Sequence, residues 1–220
     1  MNISNIITSR NISEALHFTT NRGVVGTLAK GALLSRHRLP LESYLQHILH
    51  VNSAVRPEVS IYFDKSQNWL DYVNLSISEI NRRYYEFSKG WHVDKNIWWA
   101  ILSFDASIMT HDNVIFTTTN NGYDDKCQRE GGVEGLNALF SPNIERKPGW
   151  TVRRNTRPPN LTTCEQAEVL YPESVPVKYL NKIYVTDGEH HDNVCSWLQE
   201  FGNRTVQVII SPEKFIGKKN

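Results

Sequence analysis

The residues with the clearest chemical potential lie in Thr163-Cys164-Glu165-Gln166-Ala167-Glu168-Val169-Leu170-Tyr171-Pro172, a run that carries two acids. From Ala167 to Tyr171 the side chains alternate, so on a strand Val169 and Tyr171 share one face while Glu168 and Leu170 share the other. A carboxylate flanked by apolar neighbours is costly to desolvate unless it has partners, which marks Glu168 as a candidate for chemistry. Such a group can stabilise developing positive charge or accept a proton. The competing reading is a solvated acid on the open face of an edge strand.

Just upstream, residues 147–160 have no apolar periodicity and are expected to form a loop. Prolines and a glycine fix its path, and Trp150, Arg153, Arg154 and Arg157 supply a stacking surface and cations, the mixture that grips single-stranded nucleic acid. A solvated loop that is merely basic is the alternative. A third candidate lies near the start, where a short β-favouring run ending in His17-Phe18-Thr19-Thr20 leads into a helix-like run. His17 then sits on a strand before a helix N-terminus, a place that suits a nucleotide's ribose or amide and equally a structural histidine.

These candidates need elements to hold them. Thr20 or Asn21 can cap the first helix, whose inward stripe is Val24, Val25 and Leu28, and Gly31 suits its end. Pro40 opens a second helix with Leu41, Tyr44, Leu45, Ile48 and Leu49 on one stripe, and Arg56 follows as a phosphate clamp or a surface charge. Residues 59–63 and 72–77 are expected strands, the second placing Val73, Leu75 and Ile77 opposite Tyr72, Asn74 and Ser76. A helix is expected over 78–89 with Ile80, Tyr84 and Phe87 inward. Residues 98–104 are apolar on both faces and fit a central strand. Beyond them come a strand at 114–119 ending in Asn120-Asn121-Gly122, a short helix at 133–140, a strand at 179–185, a helix with Val194, Trp197, Leu198 and Phe201 inward, and a strand at 205–210. Helices and strands do not alternate steadily, so the expected class is mixed α+β in one domain over 1–220.

With 24 basic and 23 acidic residues, no global basic field announces a nucleic-acid binder, and any such site is a local patch. No apolar run approaches the roughly 18 residues of a membrane span, and the first residues lack a signal-peptide pattern, so a soluble cytoplasmic protein without a membrane partner is expected. Cys127, Cys164 and Cys195 form no CxxC pair and read as free thiols, with no metal site. No GxGxxG or GxxxxGK[ST] run is present.

Taken together, His17-Phe18-Thr19, then Gly31-Ala32-Leu33-Leu34, then Gln166-Ala167-Glu168-Val169-Leu170 ahead of Val175-Pro176 resemble the DarT family of DNA ADP-ribosyltransferase toxins. The match runs in order along most of the chain, with specific ends and a loosely matched middle over 41–140. The resemblance implies the ADP-ribosyltransferase fold with central mixed or antiparallel sheets and flanking helices. It implies NAD as donor, a base in single-stranded DNA as acceptor, and a DarG-like macrodomain antitoxin as partner. It implies Glu168 as the catalytic glutamate, His17, Phe18 and Thr19 as an NAD-holding segment, and Gly26 and Leu34 as further NAD contacts. The family's second catalytic group is an arginine after the second helix, for which Arg56 is the candidate and Arg38 the alternative. Asn74-Leu75-Ser76-Ile77 stands where thymidine-modifying members carry an aromatic, proline-containing stretch, and resembles the guanine-modifying branch. Breaking the nicotinamide–ribose bond resembles glycoside cleavage, which a carboxylate near the ribose assists. The rival readings are an NAD-dependent RNA 2′-phosphotransferase-like enzyme and a non-catalytic single-stranded nucleic-acid-binding module.

Overall fold

The computed structural model describes residues 2–39, 69–91, 96–122, 127–218 and 220. The helix expected from Pro40, the strand expected at 59–63 and the candidate Arg56 lie outside the described residues. The helices are α1 (Ile3–Ser9), α2 (Asn21–Lys30), α3 (Arg82–Trp91), α4 (Gly132–Ala138) and α5 (Gly188–Glu200). The strands are β1 (Glu14–Thr20), β2 (Ala32–Leu34), β3 (Tyr72–Ile77), β4 (Trp99–Asp105), β5 (Ile115–Thr117), β6 (Arg129–Gly131), β7 (Asn143–Lys147), β8 (Trp150–Arg153), β9 (Glu168–Pro172), β10 (Ser174–Pro176), β11 (Leu180–Val185) and β12 (Gln207–Ile210).

Eight strands form one sheet in the order β12-β11-β4-β1-β3-β9-β5-β6, with β10-β2 and β7-β8 as separate ribbons. Pairing in the large sheet is antiparallel except between β11 and β12. This is the mixed α+β architecture that the element pattern predicts. β4 lies between β1 and β11, and its residues from Ala100 to Phe104 are all buried, as a run apolar on both faces requires. β3 alternates as its sequence demands, with Val73, Leu75 and Ile77 in the core and Asn74 outward.

The larger core joins those three residues to Val169 of β9 and to Val24, Leu28, Leu136, Val194 and Leu198 of the helices α2, α4 and α5. The smaller core, Leu16, Ile80, Tyr85, Ile101, Tyr184 and Phe215, packs on the opposite sheet face. There the buried Glu14 carboxylate accepts from Ser103 Oγ (2.7 Å) and Tyr184 OH (2.8 Å) and pairs with Lys214, tying the turn Pro212–Phe215 to β1. Burial opposes its ionisation, yet Lys214, Ser103 and Tyr184 hold its pKa below the ordinary value.

α3 departs from expectation. It begins at Arg82 rather than Ser78, since Ser78 adopts φ 61° and Ile80 is buried ahead of the helix. Its inward face carries Tyr85 and Ser88, and Phe87 is 58% exposed, not inward. Residues 147–160 are also not all loop: β7 and β8 form a hairpin that turns at Pro148-Gly149, where Gly149 has φ 76°.

Candidate active site

The large sheet opens between β1 and β3. β1 pairs with β4 over seven residue pairs, from Glu14↔Asp105 to Thr20↔Trp99, but with β3 only at Ala15↔Ile77 and Leu16↔Ser76. Past Leu16 the two strands diverge, and the backbone groups of β3 there need other partners. His17 provides one, because its Nδ1 lies 2.9 Å from the Asn74 carbonyl oxygen. A carbonyl only accepts, so Nδ1 carries the proton and Nε2 is the acceptor nitrogen of the neutral ring. His17 is thus held at the head of the opening, where its sequence position before α2 placed it.

Glu168 lies on the other side of Asn74. β9 is an interior strand between β3 and β5, and Glu168 is 6% exposed, so the reading as a solvated edge-strand acid does not hold. Its Oε2 accepts the Asn121 main-chain N–H at 2.8 Å, and the Asn74 side chain also donates to the carboxylate. Burial pushes its pKa up to about 7, while the Asn121 and Asn74 donors and the Arg129 cation oppose the rise. A carboxylate poised near neutrality and joined through Asn74 to a histidine can exchange a proton or face a developing cation.

β1 leads into α2 as the sequence indicates. Thr20 caps α2 by accepting from Gly23 N (3.3 Å), and Gly31 closes it with φ 67°. Gly23 was not singled out by sequence, yet a Cβ there would lie 2.0 Å from Thr19 Oγ1. The signal was a glycine inside the first helical turn, where propensity disfavours it unless space demands it. Gly26 is buried in α2 and Leu34 is half-buried on β2. β2 pairs antiparallel with β10 as Leu34↔Ser174 and Leu33↔Val175, so the two motif segments around Leu33 and Val175 are neighbours. The Phe18 ring is taken up by core packing against Tyr84, Tyr85 and Trp99 at 5.4–5.9 Å. Arg38, the alternative to Arg56, is engaged by Asp71 (3.0 Å) and Glu173 (2.9 Å).

The four residues of the basic segment separate into two kinds. Trp150 is 48% exposed at the hairpin turn, beside the Arg146 guanidinium at 5.0 Å, and Arg153 is exposed at the end of β8. Arg154 instead donates to the carbonyls of Leu161 (2.9 Å) and Pro158 (2.8 Å), building the loop that follows. Arg157 is internal: its side chain is 3% exposed, pairs with the buried Glu79 and donates to the carbonyls of Thr162 and Lys218. The outward-facing pair is therefore Trp150 and Arg153, and the other two arginines shape the segment. Glu165 lies ahead of β9 rather than on it, with Oε1 3.7 Å from Arg146 Nη1. Asn121 and Arg129, which support Glu168, were missed because the sequence offered only a turn and a lone arginine.

Cys127, Cys164 and Cys195 are free thiols. Among the described residues no group of three or more His, Cys, Asp and Glu side chains is placed to hold a metal ion, and no helix is long and apolar enough to cross a membrane.

No curated protein sequence matches this chain. Solved structures do. Thermosipho africanus DarTG in complex with ADP-ribose superposes with a TM-score of 0.58 at 21% identity, over 94% of this chain and 52% of that one. The chain thus spans about half the length of that protein. Thermus sp. 2.9 DarT in complex with carba-NAD+ superposes with a TM-score of 0.61 at 17% identity, over 91% of this chain and 96% of the other. The same protein in complex with ADP-ribosylated single-stranded DNA gives 0.61 at 15% identity, over 93% and 96%. At these identities the likeness carries the fold. The family follows from sequence: the DarT model, described as ssDNA thymidine ADP-ribosyltransferase, matches residues 16–216, from β1 to the last turn. Nearly the whole chain, including His17 and Glu168, lies within that match, and the chain belongs to the DarT family.

Proposed function

We propose that this chain transfers ADP-ribose from NAD to a base in single-stranded DNA, releasing nicotinamide, and that a DarG-like macrodomain antitoxin is its partner. The observation that carries the reading is the buried Glu168 carboxylate, poised near pH 7 across Asn74 from His17 at the opening between β1 and β3. Family membership supports it, as do the complexes of Thermus sp. 2.9 DarT with NAD+ and with ADP-ribosylated single-stranded DNA. The DarTG protein of Thermosipho africanus supports the partner.

The residues present fit a dinucleotide donor. The capped N-terminus of α2 favours a pyrophosphate, Thr19 and His17 precede it, and Gly23 admits the Thr19 hydroxyl against that turn. NAD supplies a cationic leaving group, so the departing nicotinamide leaves positive charge on the ribose. Ionised Glu168 stabilises that charge and accepts the proton lost from the attacking base. His17, oriented by the Asn74 carbonyl, holds the donor. Trp150 and Arg153 take the acceptor strand, since a base must be unstacked to reach the ribose and an exposed indole offers it a new stacking partner.

Radiolabelled NAD incubated with short DNA and RNA oligonucleotides of defined base content tests the reading. Label on single-stranded DNA is expected. The resemblance of Asn74 to Ile77 to the guanine-modifying branch favours guanine as acceptor, whereas the family description names thymidine, and oligonucleotides lacking one or the other base separate the two. Label on RNA alone, or on no oligonucleotide, overturns the proposal. His17→Ala is expected to weaken NAD binding about fivefold to tenfold, the loss of one hydrogen-bonding group, with the melting temperature within a few degrees of the parent. An unchanged NAD dissociation constant by calorimetry removes His17 from the site.

A further inference from the structure

We infer that Arg129 is a positioning residue for Glu168, holding by a two-pronged grip the peptide group that in turn holds the carboxylate. This rests on the reading of Glu168 as the catalytic group.

Three strands place these side chains in one row. Thr117 on β5 is the register partner of Arg129 on β6 and of Glu168 on β9, so all three side chains stand on the same sheet face. Two strand spacings of roughly 4.8 Å separate Arg129 from Glu168 at the backbone, which favours action through an intermediary over a direct ion pair. The intermediary is Asn121, in the turn that leaves β5. Arg129 Nε donates to Asn121 Oδ1 at 2.6 Å and Nη2 donates to the Asn121 carbonyl oxygen at 2.7 Å, while Nη1 reaches the Cys127 carbonyl at 3.5 Å. Asn121 N–H points the other way and donates to Glu168 Oε2 at 2.8 Å.

A planar guanidinium bonded to both oxygens of one asparagine fixes the residue's side chain and its peptide together, which a lysine cannot do. The Trp69 ring, 5.5 Å from the guanidinium carbon, backs the fork. The same turn is closed by Thr117 Oγ1 to the Thr119 carbonyl (2.8 Å) and by Gly122 N to Asn120 Oδ1 (2.9 Å). One N–H is thereby aimed at a carboxylate that burial would otherwise protonate. Among the described residues, Arg129 and the Cys127 thiol face Glu168 from the β6 side, and Asn74, with His17 behind it, faces it from β3. Burial raises the Cys127 pKa, so that thiol stays neutral and Arg129 is the cation that matters.

Three variants test the assignment: Arg129→Gln removes charge and fork, Arg129→Lys keeps the charge alone, and Asn121→Ala removes one acceptor and leaves the N–H. In Arg129→Gln, kcat for transfer is expected to fall about 10- to 100-fold with KM for NAD within about twofold. The ascending limb of its pH profile is expected to move up by about one pH unit, with Lys and Asn121→Ala intermediate. A variant with the parent's pH midpoint, or one altered only in KM, overturns the proposal. A second readout needs no transfer: with carboxyl-labelled glutamate, the Glu168 NMR resonance, identified by its loss in Glu168→Gln, is expected to titrate at higher pH in Arg129→Gln. An unmoved titration sinks the role of Arg129. A parent enzyme that modifies no oligonucleotide sinks the function while the titration still decides the positioning. If Arg129→Gln does not fold, the Lys and Asn121→Ala proteins carry both measurements.

Discussion

Glu168→Gln is expected to lower transfer by about 10²- to 10⁴-fold while making the folded protein more stable above pH 7. The amide keeps the shape and an acceptor for Asn121 N–H, so the loss of rate isolates the negative charge. The stability gain follows from the direction of the pKa. In the folded chain Glu168 titrates at about 7, against an ordinary 4.5, so between those values the folded state binds more protons than the unfolded state. Stability therefore falls as pH rises from about 4.5 to about 7, and above that range the parent carries a cost of up to about 3 kcal/mol. Gln has no such cost. Urea denaturation at pH 5 and pH 8 is expected to show the variant gaining on the parent only at the higher pH. The parent's kcat/KM is expected to rise with pH through about 7, as Glu168 ionises. A variant that transfers near the parent rate removes Glu168 from the chemistry. A variant equally or less stable at pH 8 shows that the parent's carboxylate is better solvated than its burial implies.

Periodicity makes much of this arrangement legible in the sequence. Leu16 to Thr20, Tyr72 to Ile77 and Trp98 to Phe104 read as strands because two-residue alternation, or its absence in a buried strand, leaves a mark on apolar residues. The cap of α2 at Thr20 and its glycine stop read as clearly, because few residues satisfy those positions. Phase was harder. Moving the start of α3 from Ser78 to Arg82 exchanged Phe87 for Tyr85 on the inward face, and no composition rule reveals that Ser78 turns the chain with a positive φ. Charged residues misled most. Arg146 is buried on β7 and breaks the alternation that would have revealed the hairpin, and Arg157 reads as a solvent-facing cation because its partner Glu79 lies 78 positions earlier. Asn121 supports Glu168 through its backbone N–H, a contribution that leaves almost no trace in residue identity.

Arg157→Ala is expected to destabilise the protein by about 3–5 kcal/mol, far more than Arg153→Ala, although both arginines belong to the same basic segment. The Arg157 side chain is 3% exposed and that of Glu79 is 8% exposed, so truncating the arginine takes this cation from a buried carboxylate. Lys218 N also donates to that carboxylate, at 3.1 Å. The same truncation frees the carbonyls of Thr162 and Lys218 from their donors, releasing the loop before β9 and the chain end that crosses it. Asn220, which donates to the carbonyls of Arg153 and Thr163, belongs to the same clasp. Arg153→Ala touches a surface position, for which about ±0.5 kcal/mol is ordinary. The DNA readout is expected to invert: Arg153→Ala lowers the log–log salt slope of single-stranded DNA binding by roughly 0.7, the value for one lost phosphate contact, and Arg157→Met leaves the slope unchanged. Pairing Arg157→Met with Glu79→Met separates charge from packing, because removing both members of a buried pair is often far less costly than removing one. A double variant no more stable than Arg157→Met would show that the pair's charge balance is not what holds the loop. A single Arg157→Ala protein that melts with the parent would place its guanidinium at the surface and return it to the DNA-facing set.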